Sequence, residues 1–174
     1  MSTANNELPF HVTLRVRDTC LCLHLQQAAR AVARRFDAAL RPLGLTNGQF
    51  SLLMSLNRPE AASIGGVSTL LAMDRTTLTA NLKPLERRGL VTVSVDDADK
   101  RSRHLTLTPA GRALLVAALP VWEDEHAAIE GLVTDVDPDR LRTDLRALYR
   151  PPQRSAARPH PARRPPGALR GDRA

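Results

Sequence analysis

The chain has 174 residues and a mass of 19.0 kDa, enough for one domain, or for one domain and a tail. Hydrophobic residues make up 43% and charged residues 25%, as in ordinary globular proteins, whereas aromatics reach only 3%, which argues against an all-β sandwich or barrel. The net charge of +7 is uneven: residues 1–119 hold 15 Lys/Arg and 9 Asp/Glu, residues 120–149 hold 3 and 8, and residues 150–174 hold 7 and 1. That split suggests a basic face for a polyanion and an acidic region kept away from it.

No apolar run approaches the roughly 18 residues needed to cross a bilayer, so no membrane partner is expected. Met1 to Phe10 lacks a basic stretch followed by an apolar one, and no signal peptide is expected. Cys20 and Cys22, two positions apart, cannot staple a secreted domain. The expected location is the cytoplasm.

In chain order, apolar residues recur at helical spacing from Leu14 to Leu43 (Leu21, Leu25, Ala28, Val32, Phe36, Ala39, Leu43), with Arg30, Arg34, Arg35 and Arg41 opposite. The pattern predicts one long amphipathic helix ending near Pro42–Gly44. Its stripe is too long for a small body to cover, which points to a helix from a second chain. Thr46 and Gln49 then read as a capping box, opening a helix with Phe50, Leu53, Met54 and Leu56 on one side. Arg58-Pro59-Glu60 breaks it. Ser63 caps a short helix bearing Ile64, Val67, Leu70 and Leu71. Asp74 caps another, with Leu78, Leu82 and Leu85 inward and Gly89 as its stop. Pro84 is expected to bend the last turn of that helix.

The period then changes to two. Leu90–Val95 and His104–Thr108 alternate apolar and polar and flank the turn Asp96–Lys100, so they predict a β-hairpin. Pro109 opens a helix carrying Leu114, Leu115, Ala118 and Trp122 and continuing towards Leu132. Asp137-Pro138 starts the last helix, with Leu141, Leu145 and Leu148. Residues 151–174, rich in Arg and Pro, read as a disordered tail able to make only non-specific phosphate contacts.

Short helix, short helix, helix and hairpin is the winged helix-turn-helix order. If Leu78, Leu82 and Leu85 face the core, Arg75, Thr76, Thr79 and Lys83 face outward, with Thr77 between the two faces. Such a helix presents an arginine fork and short hydroxyls to a major groove. The hairpin tip carries Lys100, Arg101 and Arg103 beside Asp96, Asp97 and Asp99, with no net charge. A directed contact fits better than bulk attraction: Asp99 orients Arg101, as for a narrow minor groove.

Over about residues 14–149 the chain resembles the MarR family of bacterial transcription regulators. The wing pattern of that family, Asp-x-Arg, five residues, Leu-Thr, reads Asp99-Lys100-Arg101 and Leu107-Thr108. Its recognition-helix ending reads Leu82-Lys83-Pro84-Leu85-Glu86-Arg87-Arg88-Gly89-Leu90. Pro84 and the residues beyond Arg150 depart from the pattern. The resemblance implies a mainly α fold with a small β-hairpin wing. It implies an obligate homodimer, held through residues 11–45 and 109–150, whose heads, residues 46–108, read a pseudo-palindromic double-stranded operator. Arg101 would enter the minor groove with Asp99 in support. A repressor released by a small aromatic or phenolic effector is the expected mode of action.

Other functions have less to stand on. No Ser/His/Asp or Cys/His constellation and no phosphate-binding glycine loop occurs, so no enzyme and no cofactor is expected. Cys20 and His24, four apart, could share a helix face as metal ligands, with His11 or a partner chain as a third; the plainer reading is a small apolar filler and a surface histidine. Leu21-Cys22-Leu23 resembles the start of the first helix in the peroxide-sensing branch of the family, where a cysteine is oxidised and DNA is released. The two tyrosines of that branch are replaced by Gln26 and Phe36. On a helix Cys20 would point away from Cys22. Efficient redox switching through Cys22 is therefore not expected.

Overall fold

The structure, a computed structural model, describes residues 8–95 and 103–149. The chain divides into two units, residues 1–132 and residues 133–174. In the first, α1 (Phe10–Thr19) and α2 (Leu21–Leu40) are followed by a tight turn (Arg41–Leu43), α3 (Asn47–Ser55), β1 (Ala62–Ser63), α4 (Ile64–Leu71), α5 (Arg75–Arg87), β2 (Val91–Val95), β3 (Arg103–Leu107) and α6 (Pro109–Glu130). In the second, α7 spans Pro138–Tyr149. Among the described residues, no helix is long and apolar enough to cross a membrane.

The predicted long helix is two helices. Cys20 adopts an extended conformation (φ −73°, ψ 103°) between α1 and α2. Asp18 and Thr19 are poor helix formers because their side chains compete for backbone partners. The Thr19 hydroxyl donates to Arg15 O at 2.7 Å, and the Asp18 carbonyl lies 3.2 Å from His24 Nε2. Cys20 therefore stands at the N-cap of α2 with no side-chain capping bond, and its carbonyl accepts the His24 N–H at 3.1 Å. The opposed-sulfur argument, which took Cys20 as helical, falls.

The other helix starts follow the sequence. Thr46 and Gln49 form a reciprocal capping box, Ser63 accepts from Gly66 N, Asp74 from Thr77 N, and Thr108 from Gly111 N. Despite Pro84, α5 runs on to Arg87 and closes tightly. Gly89 takes the left-handed conformation (φ +69°), and Leu90 N–H donates to Leu85 O at 3.0 Å. Leu85 stays fully buried, so the last turn does not splay.

One core joins Phe36 and Leu40 of α2, Phe50, Leu52 and Leu53 of α3, Val67 of α4, Leu78, Leu82 and Leu85 of α5, Val91, Leu105 and Leu107 of the sheet, and Leu115 and Ala118 of α6. Each fully buried leucine contributes about 2 kcal/mol. On α3 and at its end Phe50, Leu53 and Leu56 are buried as expected, Leu52 is buried with them, and Met54 is 41% exposed. The hairpin β2–β3 pairs antiparallel with Val91 opposite Leu107 and Val95 opposite Arg103. A third strand, β1, completes the order β1-β3-β2, with Ala62 opposite Leu105. Two residues are too few to show an alternating pattern, so sequence could not reveal it. Thr108, expected in the second strand, instead caps α6.

No residue of α1 is buried, and Phe10, Val16 and Leu21 stay more than half exposed. By itself, α7 is started by Asp137, whose carboxylate accepts from Asp139 N and Arg140 N. It carries the ion pairs Arg140–Asp144 and Arg142–Asp139, with Leu148 and Tyr149 exposed.

Candidate nucleic-acid interface

The helix-turn-helix is α4 and α5, joined through Ala72 at φ +50°. Ser68 Oγ donates to Met73 O at 2.5 Å and closes the turn from inside. Leu78, Leu82 and Leu85 are buried, which turns Arg75, Thr76, Thr77, Thr79 and Lys83 outward, and all five are exposed. Arg75, Thr76, Thr79, Ala80 and Lys83 line one open groove of about 400 Å³ on the outer side of α5. Among the described residues, Arg75 and Lys83 have no ion-pair partner.

The hydroxyls are less free than the sequence suggests. Thr77 donates to Asp74 Oδ2 at 2.7 Å while its N–H donates to Asp74 Oδ1 at 2.8 Å. These contacts, the backbone one first, hold the Asp74 carboxyl below the usual carboxylate range. Thr77 is a capping residue, and its proton is not available to a phosphate. Thr79 donates to Arg75 O at 2.7 Å and keeps only lone pairs for a base amino group. The Asp74 carboxylate already occupies the helix N-terminus, so an incoming phosphate would be met by side chains, not by free amides.

Asp99, Lys100 and Arg101 lie outside the described residues. Arg103 belongs to β3, exposed at the start of the strand opposite Val95, not to the hairpin tip. Arg112 donates to Asn57 Oδ1 at 2.8 Å and so ties α6 to the end of α3.

A second concavity, of about 400 Å³, lies between α3, α4 and α6. It is lined by Phe50, Met54, Leu70, Leu71, Leu119 and Trp122, with Ser51 and Ser55. Phe50 and Trp122 stack at 6.4 Å between ring centroids, and His126 stacks on Trp122 at 4.6 Å. Beside them Arg35 pairs with Glu125 at 2.5 Å, joining α2 to α6. Cys22 is exposed and accepts one hydrogen bond, from Gln26 Nε2 at 3.2 Å, while Phe36 lies in the core.

The MarR family signature matches residues 45–102, from the start of α3 into the hairpin. The organic hydroperoxide resistance transcriptional regulator of Bacillus subtilis is 30% identical over 101 residues, covering 58% of this chain and 69% of that protein. This chain belongs to the MarR family. The transcriptional activatory protein BadR of Rhodopseudomonas palustris is 36% identical over 106 residues, 59% of this chain; the match spans only 57% of BadR. Among solved structures, the M. tuberculosis transcriptional regulator MosR in complex with DNA shares 37% identity and a TM-score of 0.66, covering 74% of this chain and 92% of that one. All three are transcription regulators, none an enzyme, and the winged-helix fold expected from the sequence is the fold found.

Proposed function

We propose that this MarR-family regulator binds a pseudo-palindromic operator as a homodimer, represses transcription there, and is released by a small aromatic or phenolic effector. The observation that carries the DNA reading is the outward face of α5, where Arg75, Thr76, Thr79 and Lys83 share one groove while the leucines opposite them are buried. In the proposed docking these side chains meet the major groove, and Arg101 with Asp99 serves the minor groove. Arg103 lies along the phosphates. The proposed heads are residues 46–108, the dimer is held through residues 11–45 and 109–150, and residues 151–174 form the tail. The exposed apolar residues of α1 and the start of α2 support a partner chain: Phe10 is 71% exposed and Leu21 59%.

Selection of binders from random duplexes tests this reading. The enriched sequences should be inverted repeats with centres about one helical turn, roughly 34 Å, apart. The complex should contain two chains per duplex, and the selected site placed over a promoter should lower transcription. Enrichment of a single half-site by one chain would refute it.

The concavity around Trp122 supports the effector step, since its size and apolar lining suit a small planar molecule. Trp122 is the single tryptophan, so its emission reports on this site alone. Phenols that release operator DNA should quench it at the same concentration; release without quenching would place the effector elsewhere.

A further inference from the structure

We infer that Arg88 is a positioning residue that sets the aim of α5 on DNA by clamping its C-terminal end to the turn after α2. The inference rests on the DNA reading above but concerns a side chain outside the proposed contact face.

Arg88 is the C-cap residue of α5, exposed, and not on the line of Arg75, Thr79 and Lys83. Its Nη1 donates to Gly44 O at 2.5 Å and its Nη2 to Leu43 O at 3.3 Å. Both carbonyls lie where intrahelical donors run out at the end of the α2 segment, and a cation suits that end. Gly44 itself is left-handed (φ +65°). One guanidinium thus ties together the C-terminal ends of two helical segments 44 residues apart in sequence.

A second point holds α5 to the neighbouring start of α3. Gly48, in the first turn of α3, packs against Asn81 near the middle of α5, where a Cβ would stand 2.8 Å from Asn81 Oδ1. Asn81 is itself held, donating to Thr77 O at 2.9 Å. Asp37 Oδ1 in turn accepts from Asn47 N at 2.6 Å, joining α2 to the start of α3.

Helical rise places Asn81 and Arg88 about 10 Å apart along α5, and Arg75 about 20 Å from Arg88. Two fixed points define the tilt of a rod. Without Arg88, α5 keeps the Gly48–Asn81 contact and its buried leucines but loses its polar tie to the turn after α2, so its tilt can shift by a small angle. The end carrying Arg75 then moves by an amount that base-edge geometry does not tolerate, whereas phosphate attraction does.

The rival role for an exposed arginine is a direct phosphate contact, and two variants of the full chain separate the roles. Lys at position 88 keeps the charge but has no planar fork to span two carbonyls, and Gln has neither charge nor fork. Arg88→Lys and Arg88→Gln should both lose about tenfold in affinity for the selected operator. Binding to a random duplex of equal length, and the salt slope, should stay unchanged. A wild-type-like Arg88→Lys beside an Arg88→Gln weakened on both duplexes, its salt slope lower by about one, would overturn the inference in favour of a phosphate contact. Two wild-type-like variants would also overturn it.

Amide exchange in the DNA-free chain supplies an arm that does not depend on the DNA reading. Both variants should exchange faster at Gly44 N–H and Leu90 N–H, with core amides of α3 unchanged. Unaltered exchange there would count against the clamp even if no operator were ever found, and an operator failure beside faster exchange would count against the DNA reading alone.

Discussion

Gly111→Ala is expected to cost about 3 kcal/mol of stability, a large loss for a single methyl group. A Cβ at Gly111 would stand 2.2 Å from Leu90 O and 2.8 Å from Leu107 Cδ1. The leucine side chain can turn aside, but the carbonyl is held. Leu90 O accepts the Thr108 N–H at 3.1 Å. The Thr108 hydroxyl donates to Gly89 O at 2.7 Å and accepts the Gly111 N–H at 3.0 Å. The end of α5, the start of β2 and the first turn of α6 are therefore stitched together around one glycine. Relief requires moving α6 off the sheet, which opens the packing of Leu115 and Leu107. For a chain of this size the thermal midpoint should fall by about 6–12 °C. Gly65→Ala provides the contrast: its Cβ meets nothing within 4 Å, and it lies inside α4. Alanine there should raise stability by about 0.5–1 kcal/mol. If the two substitutions shifted the midpoint alike, the close approach at Gly111 would not be what limits that position.

Gly111 also shows why part of this fold could be read from the sequence and part could not. The helix starts at Thr46, Ser63 and Asp74 were legible because a cap is a short-range arrangement: an oxygen and an N–H three residues on. The buried face of α5 was legible because Leu78, Leu82 and Leu85 keep helical phase. From those two facts the outward position of Arg75 and Lys83 followed without coordinates. The break at Cys20 was not read from the sequence, because the apolar stripe outweighed the weak local signal of Asp18 and Thr19, and the contacts that mark the turn, Thr19 to Arg15 O and His24 to Asp18 O, depend on rotamers. The burial of Leu52 and the exposure of Met54 were not legible because α3 is packed on several sides, so its narrow stripe does not identify the inner one. The spent protons of Thr77 and Thr79, and the reach of Arg88 to Gly44, depend on rotamers and on contacts between segments remote in sequence. Residue type alone carries neither. Sequence thus located the candidate face and overcounted the donors on it.

Once the threonine donors are discounted, the arginines should dominate recognition. Arg75→Ala and Arg101→Ala are each expected to lose about 1–3 kcal/mol of specific affinity, roughly 5- to 150-fold. Arg75 stands in the first turn of α5, where a helix lying in a major groove brings its N-terminal residues to the bases, and its guanidinium has no ion-pair partner among the described residues. A forked contact to a guanine edge carries sequence information, so Arg75→Ala should relax preference at one base position of each half-site. Lys83 lies two turns further along, where in the proposed docking the helix leaves the groove floor. Lys83→Ala should weaken operator and random duplexes alike and lower the salt slope by about one per chain. Arg101, assigned by the Asp99-Lys100-Arg101 pattern, should respond to groove width: its alanine variant should lose the distinction between A·T-rich and G·C-rich flanks while keeping the half-site preference. The three signatures differ, so titrations on operator, flank-swapped operator and random duplex at several salt concentrations read them separately. A loss confined to Lys83→Ala, with both arginine variants still selective, would mean that α5 lies along the phosphates and reads no bases, and the docking proposed here would have to be abandoned.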